Sequence, residues 1–336
     1  MASHDLMAVV LFATLAAYTL LAGADFGAGI WDLLARGPRA AEERRRLAEA
    51  IGPVWEANHV WLIFFVVLLF TCFPHAFAAV SVALFWPLHL VLAGIALRGA
   101  SFVFRAYGAP SGAGPVVWTR IFGVASALTP LLLGACLGAV SSGGIRLFDG
   151  RVTAGAHAWL APFPLLVGVL ALLVCAYLAG VYLAWESDGA ARERFRRRAL
   201  ILWLVAGAVS LATLAAARSE APRLWTQLLR GAAGELFLAG ILLAPASAIA
   251  LWRRRFQAAR ILAGAQVTIL LAGWARAQWP FIIYPDLTLA QSAAPEATLR
   301  AAASTLPFGL ALLAPSLWLL FSVFKGRNPR HRTGAS

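Results

Sequence analysis

Ile51-Gly52-Pro53-Val54-Trp55-Glu56-Ala57-Asn58-His59-Val60-Trp61-Leu62-Ile63 opens an apolar run that continues through Cys72. A carboxylate, an amide and an imidazole therefore stand at the mouth of a segment long enough to cross a bilayer, where such groups are costly to hold. Trp55 and Trp61 flank them, as tryptophans do at the level of lipid headgroups. A second carboxylate, Asp25, lies inside the preceding apolar run, in Ala22-Gly23-Ala24-Asp25-Phe26-Gly27-Ala28-Gly29. Two acids in or beside membrane helices ask for a reason, and proton handling is the first to consider.

Working outward, apolar runs of this kind recur along all 336 residues. The chain is 61% hydrophobic and 13% charged, where a soluble domain carries roughly 25% charged residues. The runs are continuous rather than alternating, which excludes a β-barrel and predicts an all-α polytopic membrane protein. Nine spans are predicted, at about 7–34, 54–72, 76–104, 117–141, 159–185, 198–217, 231–252, 259–283 and 304–324. Pro53, Pro74, Pro87, Pro130, Pro245, Pro280 and Pro315 fall at span ends or inside spans and are expected to end or kink helices. No internal repeat and no long linker interrupts the series, so residues 1–336 read as a single integral membrane domain. The N-terminal Met-Ala-Ser-His-Asp lacks the basic region and cleavage site of a signal peptide, and the first span is expected to remain in the mature protein.

The net charge of +13 is concentrated between spans. Loops after odd spans, with the C-terminal tail, hold nineteen basic residues against six in loops after even spans. That bias is the positive-inside signature; it predicts an outer N-terminus and a cytoplasmic C-terminus, and argues against a nucleic-acid partner. Cys72, Cys136 and Cys175 are isolated in apolar runs and read as small buried hydrophobes.

With this topology Asp25 lies about 13 Å from the inner end of span one, at 1.5 Å per residue, and Glu56 opens span two from the same side. His59 follows Glu56 at the spacing that shares a helix face. Asp25, Glu56, Asn58 and His59 are thus candidates for a cytoplasmic-side proton path. The bland alternative is an acid that locks helix one to helix two, with Gly23, Gly27 and Gly29 allowing close approach. Arg98 and Arg105 bracket the inner end of span three and are expected to snorkel or to pair with an acid or a partner subunit. Arg276 is expected to meet Glu235, and Asp32 to form a surface pair with Arg36. Metal or haem ligation by this chain is not expected: only His89 lies near the centre of a span, and neither Met1 nor Met7 offers it a second axial ligand at its depth. No nucleotide-binding, zinc-protease or nucleophile–base motif is present, so no self-contained active site is visible.

Four of these stretches resemble subunit II of the cytochrome bd-type quinol oxidases. They are Gly-Ala-Asp25-Phe-Gly, Gly52-Pro-Val-Trp-Glu-Ala-Asn-His-Val-Trp-Leu-Ile63, Leu97-Arg-Gly-Ala-Ser-Phe-Val-Phe-Arg105, and Trp279-Pro-Phe-Ile-Ile-Tyr-Pro-Asp-Leu-Thr288 with Ala293-Ala-Pro-Glu-Ala-Thr-Leu299. The short length is similar to the cyanide-insensitive branch. The resemblance implies two four-helix bundles plus a peripheral helix, in a bacterial inner-membrane heterodimer with a subunit I. That partner would carry the quinol site, two haems b and a haem d or b, and reduce oxygen to water in aerobic respiration. It allows a small single-helix subunit and a structural quinone in this chain. It also implies proton delivery by membrane acids. Asp25 matches the family's Asp-Phe-Gly aspartate, and Glu56 matches an acid that is often aspartate. The further acid that many members carry ahead of Asp-Phe-Gly is replaced here by Ala22 or Gly23. A proton-coupled secondary transporter is the alternative from another class, and a self-sufficient cytochrome a third.

Overall fold

A backbone crossing hydrocarbon must satisfy its own hydrogen bonds, and the apolar runs do so as helices. The computed structural model describes residues 2–38, 40–51, 55–107 and 114–325; within helices, the side chains of 48–51, 55–57, 106–107, 114–115, 320–321 and 324–325 lie outside the described set. In chain order the elements are α1 Ser3–Leu34, α2 Ala40–Ile51, α3 Trp55–Cys72, α4 Pro74–Ala83, α5 Phe85–Tyr107 and α6 Gly114–Ser142. There follow the hairpin β1 Arg146–Phe148 and β2 Arg151–Thr153, then α7 His157–Leu160, α8 Pro162–Glu186, α9 Gly189–Glu220, α10 Pro222–Arg230, α11 Gly234–Trp252 and α12 Phe256–Gln278. A second hairpin, β3 Phe281–Ile283 and β4 Leu287–Thr288, leads through α13 Leu289–Ser292 to α14 Glu296–Lys325. Both strand pairs are antiparallel.

Among the described residues eight helices are long and apolar enough to span a membrane. A ninth candidate is the pair Asn58–Cys72 and Pro74–Ala83, bent by 116°. The bend sits at Phe73, whose φ of −135° and ψ of 59° are not helical. Pro74 supplies no N–H and disfavours helical geometry in the residue before it. This corrects the predicted third span: the run read as 76–104 is two helices, broken again at Leu84 before α5 begins. As a result His89 is not central in a span. It sits in the second turn of α5, exposed, with its ring against Phe85 at 3.9 Å between centroids.

The helices group as two four-helix bundles. α1, α3, α5 and α6 form the first; α8, α9, α11 and α12 form the second; and α8 meets α1 and α6 along the seam. Glycines of α1 make that seam possible. A Cβ on Gly27 would lie 1.9 Å from the Cys175 carbonyl oxygen of α8, and one on Gly29 would lie 2.1 Å from Ser126 Oγ of α6. The glycines therefore admit α6 and α8 rather than the second predicted span. α14 packs chiefly on α1 and α3, its apolar window wholly outside the interior, and is the peripheral helix. The three cysteines are free and buried.

Candidate functional site

The interior of the first bundle is where the charged residues go. Arg98 of α5 and Asp25 of α1 are 2% and 3% exposed, so each must find its partners within the protein. Arg98 donates from Nη2 to Asp25 Oδ1 at 2.7 Å and from Nη1 to Asp25 Oδ2 at 3.1 Å. It also donates to the Asp25 carbonyl at 3.2 Å and, through Nε, to Ser126 Oγ at 3.0 Å. The guanidinium carbon lies 4.9 Å from the Phe26 ring centre and 5.0 Å from that of Phe122, two aromatic faces that favour a cation. Both oxygens of Asp25 are engaged in one fork, the strongest geometry a carboxylate can adopt with arginine.

Two turns along the same helices the arrangement repeats. Arg105 donates to Asp32 at 3.0 and 3.3 Å, and Arg44 of α2 reaches the same carboxylate at 3.7 Å. The expected surface pair of Asp32 with Arg36 is therefore wrong. Asp32 is buried, and a buried acid takes the arginine that follows it inward rather than the one four residues on. Both pairs join residues 73 apart in sequence. Asp25 and Asp32 are seven apart on α1, as Arg98 and Arg105 are on α5. Two acids and two arginines at the same spacing, on spans predicted to run in the same direction, were the signal that pairs them.

Around the Asp25–Arg98 pair stand further polar side chains. Asn58 is buried. The ring of His59 meets those of Tyr18 and Phe26 edge-on, at 6.1 and 5.9 Å, and Trp61 packs against the same cluster. Among the described residues, four buried polar atoms of this bundle have no hydrogen-bond partner: Tyr18 Oη, Trp61 Nε1, Ser101 Oγ and Thr129 Oγ1. Sequence reasoning singled out neither Tyr18 nor Ser101 nor Thr129, which read as ordinary span residues. Glu56 and Trp55 stand in the first turn of α3, and their side chains lie outside the described residues.

Arg276 is not part of this site. It is exposed, as is Glu235, and the expected ion pair between them does not form. Among the described residues no three His, Cys, Asp or Glu side chains gather as a metal site. His59 and His89 stand on different helices, one against Tyr18 and Phe26 and the other on the outer face of α5. Those two side chains do not form a bis-histidine pair.

The model of the family described as cytochrome bd terminal oxidase subunit II matches residues 3–324. The chain belongs to that family. Subunit 2 of the cytochrome bd ubiquinol oxidase of Bacillus subtilis (strain 168) is 27% identical over 225 residues, which is 65% of this chain and 63% of that one. A second protein of the same strain, described provisionally as a cytochrome bd menaquinol oxidase subunit II, is 24% identical over 319 residues, 91% of each chain. Among solved structures, bd oxidase from Geobacillus thermodenitrificans matches with a TM-score of 0.82 and 25% identity, covering 98% of this chain and all of that chain. The chain is accordingly a multi-pass bacterial membrane protein and an oxidase subunit by family. The transporter alternative gains no support from any of these likenesses.

Proposed function

We propose that this chain is the haem-free subunit of a bd-type quinol oxidase. In this reading residues 1–336 form one integral unit that holds a haem-bearing subunit I in the inner membrane, N-terminus outside. It also lines a cytoplasmic-side path for the protons that oxygen reduction consumes. The names of the relatives support quinol as reductant, since one is a ubiquinol and the other a menaquinol oxidase subunit.

The observation that carries the proton path is the polar interior of the first bundle. Buried hydroxyl and indole groups without protein partners are positions where ordered water binds. Here four of them accompany His59, Asn58 and the Asp25–Arg98 pair inside a membrane domain. His59 and Glu56 are the groups that exchange protons. Asp25, with both oxygens held by Arg98, serves as a fixed charge that organises the path, and Asn58 as a hydrogen-bonding wall. Trp55 and Trp61, six residues apart on α3, belong to the entrance and to the interior cluster respectively, while Arg98 and Arg105 hold α5 to α1.

The test is oxygen consumption by the intact oxidase reconstituted in liposomes. Glu56→Gln and His59→Gln are each expected to slow turnover several-fold while the reduced-minus-oxidised haem spectrum keeps its amplitude. Unchanged turnover in both variants would remove the path from this subunit. Lost haem bands would mean instead that these residues hold the complex together.

A further inference from the structure

With Asp32 engaged inward, cationic side chains are left at the end of α1. A cleft of about 510 Å³ opens where α1 ends and α6 begins; Arg36, Arg44 and Arg120 stand on its wall, and Leu33, Thr119 and Val124 line it further. Arg44 is fixed there, donating to the Ala35 carbonyl at 2.8 Å and the Asp32 carbonyl at 3.4 Å. Asp32, at the same end of α1, is 2% exposed and already shared between Arg105 and Arg44. Arg36 and Arg120 are exposed and make no ion pair among the described residues. Three guanidinium groups thus stand on a concavity whose described lining holds no carboxylate, while Asp32 beside it is turned inward and doubly engaged. Such a wall attracts an anion, because like charges held around a low-dielectric hollow reinforce one another.

We propose that this cleft binds the phosphate headgroup of an anionic phospholipid. The phosphate sits between Arg36 and Arg120, with Arg44 behind it, and the glycerol and upper acyl chain lie along Leu33 and Val124. The apolar part of the lining decides for a lipid over a free anion. Val124 is exposed, and so are Val116 and Val117 on the same helix, so the cleft continues directly into the lipid-facing side of a membrane span. A hydrated phosphate ion gains nothing from that surface, whereas an acyl chain does. Thr119 stands one residue before Arg120 at the same level. The proposal needs only that α1 and α6 cross the membrane, and it stands apart from the proton path.

The test is native mass spectrometry of the full chain, isolated with its native partners in mild detergent and offered phosphatidylglycerol or phosphatidylcholine. Phosphatidylglycerol is expected to be retained at collision energies that strip phosphatidylcholine. Arg36→Gln together with Arg120→Gln should weaken the tightest-bound phosphatidylglycerol about 25-fold, roughly fivefold for each arginine at a membrane surface. The charge-keeping pair Arg36→Lys and Arg120→Lys should stay within a few-fold of the unaltered protein. Arg253→Gln with Arg255→Gln removes as much charge from a distant turn and should leave this binding unchanged. Equal retention of the two lipids, or equal loss in the Arg253 and Arg255 variant, would reduce the effect to general surface potential and overturn the site. Displacement of phosphatidylglycerol by millimolar inorganic phosphate would overturn the lipid and leave a free-anion site in its place.

Discussion

The first bundle buries a guanidinium, two carboxylates, an amide and several hydroxyls; the second buries alanine, leucine and valine around a tyrosine–serine contact. In the second bundle polar groups are few and are satisfied within the helices. Tyr177 of α8 and Ser247 of α11 meet at 2.9 Å, Ser247 donates to the Ala244 carbonyl at 2.9 Å, and Trp203 of α9 donates to the same carbonyl at 3.0 Å. Both bundles are four helices against a common seam, so helix packing does not require buried charge. Where charge is present in one and absent from the other, it has been retained for something packing alone does not supply.

The sharpest way to break this comparison is to take the ion pair apart. Asp25→Asn leaves Arg98 buried with a weaker acceptor, and removing one member of a buried pair costs about 3–5 kcal/mol. Denaturant unfolding of the complex, with haem retention followed in parallel, should register this as the largest loss of any substitution considered. Replacing both residues, Asp25→Leu with Arg98→Met, removes the stranded charge and should recover most of that stability, since apolar replacements of buried pairs are often neutral. Turnover then separates the two readings. A double variant that is stable and fully active would show the pair to be a lock only. A stable but slow one would show that the charges serve the proton path.

The spans were legible because hydrocarbon imposes one rule on every backbone group, and a run of apolar residues can obey it only as a helix. The break at Phe73 was visible in Pro74; the second break, at Leu84, had its signal in Pro87, which lacks the N–H that would bond the Ala83 carbonyl, but the unbroken apolar run across it hid that signal. α4 was therefore joined to α5, which moved His89 from the second turn of a helix towards the middle of a span. The polar site was legible as a set of residues and illegible as a set of pairs. Asp25 and Arg98 are 73 residues apart, and nothing local says which of several acids meets which arginine. For Asp32 the local choice, Arg36, was available and lost. Burial at the end of α1 makes a distant guanidinium on α5 the nearer one. Only the matched seven-residue spacing on both helices carried the answer, and it becomes informative once α1 and α5 are known to lie in the same bundle.

A milder probe acts on the second bundle. Tyr177→Phe removes the hydroxyl between α8 and α11 but leaves Ser247 its bond to the Ala244 carbonyl, so no buried group is stranded. The expected loss is about 1 kcal/mol, the net value of one satisfied hydrogen bond. Unfolding midpoints measured at a constant denaturant slope would check it. A loss approaching that of Asp25→Asn would mean that the second bundle is as dependent on its polar contact as the first is on its ion pair, and the contrast drawn above would fail.

The smallest effect is expected outside both bundles, where the two hairpins are clasped. Asp286, at the turn between β3 and β4, accepts from Arg146 Nε at 2.8 Å and from the Leu147 N–H at 2.8 Å. The hydrogen bond from Arg146 is the main reason the Asp286 carboxyl sits below the usual aspartate range, with the backbone N–H and the arginine's charge adding to it. A carboxylate whose folded value is depressed stabilises the fold at pH above its unfolded value near 3.9 and loses that contribution as the pH falls through the folded value. Acidification below the normal aspartate range should therefore loosen the clasp, and neutral pH should not. The side chain of Arg146 is largely in solvent, where such pairs contribute little to global stability. The measurable change is local: protection of the Leu147 amide from hydrogen exchange, taken relative to its intrinsic rate at each pH, should fall in Asp286→Asn at neutral pH, and in the unaltered protein should fall to that level only in acid. Protection that is kept in the variant and does not change with pH would show that the hairpin is held by Tyr284, whose N–H reaches the Val140 carbonyl at 3.0 Å, rather than by the charge pair.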